Sequence, residues 1–164
     1  MEERDETFMR LAIAQAQASK RAGDVPFGAI VVRNGNVIVA ASNSEHLDQD
    51  VTKHAEVKAI SAASKMLGRR DLSDCEFYST AEPCPMCAGA IFNSCISRIV
   101  YGMSRDDLPH LFRTRSIRIK ELANDWHYDP EVVGGVLKQD VINVFLDYKE
   151  AFRVKPQAYG SKAS

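Results

Sequence analysis

The residues richest in chemistry are two cysteines three apart, Cys84 and Cys87, in the stretch "AEPCPMCAGA" (81–90). Pro83 directly precedes Cys84, Pro85 stands two residues before Cys87, and the small residues Ala88, Gly89 and Ala90 come after. Thiols at this spacing form a disulfide, a redox pair or half of a metal site. A zinc site with one open position needs three protein ligands, usually His or Cys. His110 and His127 have no partner ligand close by, and His46 sits in a polar loop. His54, in "TKHAEVKAI" (52–60), opens a helical stretch and is the best-placed third ligand. Glu56 follows two residues on. Side chains at i and i+2 diverge along a helix, but at its start both can reach a group lying beyond the end. Cys84 is placed in the same way. Two helix N-termini would then aim free N–H groups and positive dipole ends at one ion, which favours thiolates there. One imidazole and two thiolates leave a fourth zinc position for water, whose pKa falls to about 7 in favourable sites. A carboxylate that is not a ligand, here Glu56, can take the water's proton and pass it on.

These residues need a scaffold that brings three chain segments together. Residues 5–21 are predicted to be a helix with Phe8, Leu11, Ala12, Gln15, Ala16 and Ser19 on one side, ended by Gly23. Two β-branched runs, 29–32 and 37–40, flank Asn34-Gly35 and predict a tight hairpin. Residues 54–67 predict a helix with Val57, Ile60, Ala63 and Leu67 inward, stopped by Gly68. Residues 75–80 predict a strand, the prolines a turn and helix start, and 98–102 another strand. Residues 104–130 carry no clear pattern beyond a helix near 115–124. A final helix is expected over 136–152, burying Leu137, Val141, Val144, Phe145, Tyr148 and Phe152. Alternating helices and strands argue for a central sheet with helices on both faces. Cys75 and Cys95 read as buried small hydrophobes.

The paired motifs H-x-E and P-C-x-x-C are a signature of zinc deaminases. With "VPFGAIVV" (25–32), "ASN" (41–43), "HAEVKAI" (54–60), "EPCPMCAGAI" (82–91) and "RIVYG" (98–102), the chain resembles the cytidine deaminase-like superfamily, in its guanine deaminase and tRNA adenosine deaminase branch. The resemblance covers roughly residues 5–103, and the late "EVVGGVL" looks similar too. It implies a three-layer α/β/α fold with a central mixed five-stranded sheet, usually as a homodimer. It implies one Zn²⁺ per chain on His54, Cys84 and Cys87, with Glu56 as the proton shuttle. Asn43 would hydrogen-bond the substrate ring, Phe27 would stack on it, and the Ala55 N–H would face it. The implied reaction is hydrolytic loss of ammonia from an amino-substituted nucleobase or related heterocycle, guanine first. The alternatives are adenosine in a tRNA, cytosine, a pterin or a triazine. In the guanine enzymes, acidic residues of the C-terminal segment hold the base; Asp106, Asp107, Asp125, Asp129 and Asp140 are the candidates here, with none in a recognisable motif. A zinc protein that keeps the site only for structure is a third possibility, against which the intact Glu56 stands.

The 164 residues suit one domain, expected over 1–155, with 156–164 as a flexible tail. Net charge is −1 and no like-charge block occurs, so no general nucleic-acid surface is advertised, though Arg105, Arg113, Arg115, Arg118 and Lys120 lie close in sequence. Four cysteines are too few for a disulfide scaffold. The acidic N-terminus lacks an apolar signal core, and no run is long enough to span a bilayer. A cytoplasmic protein with reduced thiols, acting on a small heterocycle and not on a membrane, is expected.

Overall fold

The computed structural model describes residues 3–112, 115–146 and 148. In chain order the elements are α1 (Glu3–Ala22), β1 (Gly28–Arg33), β2 (Asn36–Ser42), α2 (Ala55–Leu67), β3 (Cys75–Ala81), α3 (Pro85–Asn93), β4 (Arg98–Met103), a 3-10 turn (Arg105–Asp107), α4 (Ile119–Asp125), β5 (Glu131–Gly134) and α5 (Lys138–Val144). The strands form one sheet of order β2-β1-β3-β4-β5. β1 runs antiparallel to β2 and β3, while β3, β4 and β5 are mutually parallel, so the sheet is mixed.

The hairpin forms as its residues require. Arg33 pairs with Asn36 across a two-residue loop in which Asn34 (φ 51°) and Gly35 (φ 74°) both adopt the left-handed conformation of a tight primed turn. One apolar layer packs α2, α3 and α4 against one face of the sheet through Ala59, Ile60, Phe77, Ile91, Ile99 and Ile119. The other packs α1 and α5 on the opposite face through Met9, Ala12, Tyr78, Val100 and Val141. Gly28 lets α1 approach: a Cβ there would lie 2.1 Å from the Ala12 carbonyl oxygen.

Several expectations need correction. On α1 the buried stripe takes Met9 and Ile13 in place of Leu11, which is 44% exposed. The helix therefore sits rotated towards Met9 and Ile13 relative to the stripe read from the sequence. Cys95 is exposed, because the turn after α3 puts it in a left-handed conformation (φ 60°) that takes it out of the core. The fifth strand implied by the resemblance is β5, which the residue pattern does not show: it has four residues, half-buried or exposed, and thus no alternation to read. The last helix starts at Lys138 and not at 136, because Leu137 has positive φ (49°) and serves as its cap. Phe152 and the expected tail at 156–164 lie outside the described residues.

The topology decides where a site can form. β1 begins where β3 ends, with Ala29 paired to Ser79, and β2 ends there too, with Ser42 paired to Gly28. β4 ends at the same edge, Met103 lying opposite Ala81. The segments at Phe27, Asn43, Glu82–Cys84 and Ser104–Arg105 therefore meet at one end of the sheet.

Candidate metal and catalytic site

His54 and Cys84 are the N-cap residues of α2 and α3, both in extended conformation and neither capping through its side chain. Freed of that duty, both side chains project past their helix starts. Pro85 at the first position of α3 sets the turn that points Cys84 outward. Cys87, one turn on, is fully buried. The donor atoms of His54, Cys84 and Cys87 converge, all lying within 4.8 Å of one another. His54 Nδ1 lies 3.4 Å from Cys87 Sγ and 3.8 Å from Cys84 Sγ, and the two sulfurs are 3.5 Å apart. A tetrahedral zinc with metal–sulfur bonds of about 2.3 Å and a metal–nitrogen bond of about 2.0 Å implies donor–donor edges of roughly 3.5–3.8 Å. The three residues thus fit a zinc ion in both chemistry and spacing. All four cysteines are free thiols.

The hydrogen bond shared with Cys87, aided by His54, outweighs burial and brings Cys84 down to about 3. The same bond, with burial and the nearby Glu56 charge, pushes Cys87 well up. Burial opposes a charged His54, but its hydrogen bonds to Cys84 and Glu45 win and raise it to about 10.

Glu45 is a residue the sequence reading missed. Its Oε2 accepts from His54 Nε2 at 2.7 Å, which leaves Nδ1 to face the sulfurs. A metal-ligating imidazole commonly donates its other N–H to a carboxylate, which fixes ring orientation and raises basicity. Only its place in a polar loop just before His54 hinted at this role. His46 also reaches Glu45, at 3.2 Å, but is not part of the cluster.

Glu56 sits in the first turn of α2, 5% exposed. Its Oε1 accepts from Ser79 Oγ at 3.3 Å, while Oε2 is buried without a hydrogen-bond partner. Burial, only partly offset by His54, pushes its pKa up. An orphaned carboxylate oxygen beside a metal-ligand cluster is what a group awaiting a proton or ligand looks like.

Asn43 is buried, and its side-chain N–H₂ donates to Asp24 Oδ1 at 2.8 Å. Asp24 also accepts from the backbone N–H groups of Val25, His46 and Leu47. Burial raises its pKa, and these four donors together lower it on balance. An ionised carboxylate only accepts, so the orientation of the Asn43 amide is determined: nitrogen to Asp24, oxygen to the remaining side. Ala55, the first residue of α2, is fully buried, and its N–H has no intrahelical acceptor. Phe27 is half-buried, with ring centroids 5.5 Å from both Phe112 and Phe145.

Three of the five acidic candidates for holding a base are engaged in ion pairs and the other two are exposed. Asp106 pairs with Arg118, Asp107 with Lys138 and Asp140 with Arg10. Asp125 and Asp129 are exposed. The segment after β4 is tied instead to the cysteine motif: Glu82 accepts from Arg118 Nη1 at 2.8 Å and from the Ile119 N–H at 3.1 Å.

Comparisons with known proteins agree with this geometry. Residues 2–103 match the cytidine and deoxycytidylate deaminase zinc-binding region. The chain is 34% identical over 154 residues to the tRNA-specific adenosine deaminase of Bacillus subtilis, covering 94% of each chain. It is 37% identical over 149 residues to a probable cytosine deaminase of Schizosaccharomyces pombe, covering 87% of this chain and 90% of that one. It spans only 27% of a longer relative, the tRNA(Ile)-lysidine synthase of Deinococcus deserti. The solved guanine deaminase of Nitrosomonas europaea superposes with a TM-score of 0.76 at 26% identity, over 85% of this chain and 81% of that one. The chain therefore belongs to the cytidine and deoxycytidylate deaminase zinc-binding family, as a hydrolytic deaminase.

Proposed function

We propose that the protein hydrolyses an exocyclic amino group from a small nucleobase or related heterocycle, with guanine as the first ring to assay. Four groups gathered at one end of the sheet support this: a ligand triad fit for zinc, an orphaned buried carboxylate, an amide oxygen and a helix N-terminus. His54, Cys84 and Cys87 would hold the ion, which when bound would supply a water acidified towards neutrality. Glu56 takes the two protons of the water in turn at Oε2, which has no hydrogen-bond partner among the described residues, and passes the first to the ring nitrogen and the second to the departing amine. One water is consumed, the amino-bearing carbon becomes a carbonyl, and ammonia leaves. The raised pKa of Glu56 suits a group that must hold a proton between two transfers.

Asn43 presents an oxygen, so it selects a ring or amino N–H on the substrate. The Ala55 N–H supplies the complementary donor to a ring nitrogen or the incipient carbonyl oxygen. Phe27 forms one apolar wall. Glu56→Gln tests the reading: it should bind zinc as the parent does and release ammonia about 10²–10⁴-fold more slowly. Normal turnover in that variant removes Glu56 from the chemistry. A second reading, adenosine in a tRNA loop, draws on the Bacillus subtilis relative, which is matched over 94% of both chains. Ammonia release from an anticodon stem-loop and from no free base would establish it.

A further inference from the structure

Asp24, between α1 and β1, is 1% exposed, and each of its oxygens accepts from two donors. Oδ1 takes the Val25 N–H at 2.7 Å and Asn43 Nδ2 at 2.8 Å. Oδ2 takes the N–H groups of His46 at 3.0 Å and Leu47 at 2.9 Å. Four donors fill the capacity of an ionised carboxylate. The backbone around Asn43 is held as firmly. Its N–H donates to the Phe27 carbonyl at 3.0 Å, and its carbonyl accepts from Ser19 Oγ at 2.7 Å. Lys58 Nζ, one turn beyond His54 on α2, donates to the Ser42 carbonyl and to Ser44 Oγ, both at 2.7 Å. With the main chain fixed on both sides, the remaining choice for the Asn43 amide is which end faces inward. Asp24 makes that choice, because a turned amide would set oxygen against oxygen in a buried place.

We infer that Asp24 is a positioning residue that sets substrate polarity: by keeping the Asn43 oxygen outward, it makes the site prefer a ring N–H over a bare or methylated ring nitrogen. This rests on the deaminase reading and deepens it, by naming the group that decides which end of the amide the ring meets. Asp24→Asn should reverse the choice. Its one remaining oxygen goes to the side where two backbone donors, from His46 and Leu47, need an acceptor. Its new NH₂ then faces Asn43 and leaves only the Val25 N–H without an acceptor. Asn43 answers by turning its oxygen inward and its own NH₂ towards the ring. The loop that carries Glu45 keeps its anchor throughout, so the contact that orients His54 is preserved.

The test compares ammonia release from guanine with that from 7-methylguanine and 9-methylguanine, and from cytosine with that from 1-methylcytosine, on zinc-loaded protein. Each ratio of kcat/KM is taken within one protein, so partial loss of zinc or of folded protein cancels, as does the bulk of the methyl group when variants are compared. In at least one pair the parent should favour the N–H member, and Asp24→Asn should lower that preference about tenfold or more. Adding Asn43→Asp to Asp24→Asn returns an acceptor-only group to the ring and should restore the preference. A carboxylate that merely supports the fold would slow both members of a pair alike, so an unchanged ratio in every pair that is turned over overturns the inference. A second arm needs no turnover. Asn43→Asp alone sets two buried carboxylates against each other and should lower the melting temperature, and adding Asp24→Asn should recover most of the loss. Losses that simply add overturn the inference as well. If no base releases ammonia while the two substitutions still compensate in melting, the orienting contact stands and the deaminase reading falls.

Discussion

Removing the Glu45 carboxylate should weaken zinc binding without unfolding the protein. The contact is short, His54 Nε2 to Glu45 Oε2 at 2.7 Å, and both side chains are about three-quarters shielded from water. It holds the imidazole with Nδ1 towards the sulfurs, and its charge makes that nitrogen a better donor to a cation. Losing such an outer-shell carboxylate commonly costs 10–100-fold in metal affinity. That corresponds to roughly 1.4–2.7 kcal/mol. Glu45→Ala should show the full effect. Glu45→Gln keeps an acceptor and loses the charge, so it should fall between the two. Competition with a chelator of known zinc affinity reads the dissociation constant directly. Thermal melting of the metal-free proteins checks that the loop, which is not part of either apolar layer, has not taken the fold with it. If Glu45→Ala binds zinc within twofold of the parent, the short contact is incidental and the orientation argument fails.

Zinc uptake should release about two protons per ion at neutral pH, because His54, raised to about 10, and Cys87, pushed up, are both protonated there, while Cys84, near 3, is not. Affinity should accordingly fall as pH falls, by about a hundredfold per unit around pH 7; calorimetry in buffers of different ionisation enthalpy counts the protons, and a count near zero contradicts the assigned states. Cys87→Ala should lose the ion, and a full zinc content by elemental analysis would exclude its sulfur as a ligand. Gly28→Ala should be destabilised by about 3 kcal/mol or fail to fold, given the 2.1 Å approach to the Ala12 carbonyl; an unchanged denaturation midpoint would mean that α1 shifts freely. Glu82→Gln removes a buried charge from Arg118 and should cost about 1–3 kcal/mol, and it should also loosen the segment from Arg105 to Arg118, read as faster proteolysis there.

The parts legible in the sequence share one property: their signal is local. Asn34-Gly35 must turn, apolar residues recur at helical or strand spacing, and a cysteine after proline sits at a helix start. For the same reason His54, Glu56, Cys84 and Cys87 were identifiable, since each is defined by its place in the first turn of a helix. What escaped depends on contacts between segments. Glu45 matters only because a loop folds back on His54, and Asp24 only because it meets Asn43 across 19 positions. β5 is too short and too exposed to show a period. Arg105 and Arg115 belong to a stretch without periodicity, and nothing in their spacing says that they end up lining one recess with Pro83 and Pro85.

The amino-acid sequence by itself determined the donor types and the helix starts that display them, because backbone propensity and ligand chemistry act over a few residues; the class of reaction came from the family resemblance that its paired motifs carry. Tertiary structure alone decided the geometry. The pairing of β1, β2, β3 and β4 carries four chain segments to one end of the sheet, where three donors come within 4.8 Å of one another and a carboxylate oxygen is buried without a hydrogen-bond partner among the described residues. Burial and convergence are properties of chain segments meeting, and no residue carries them alone.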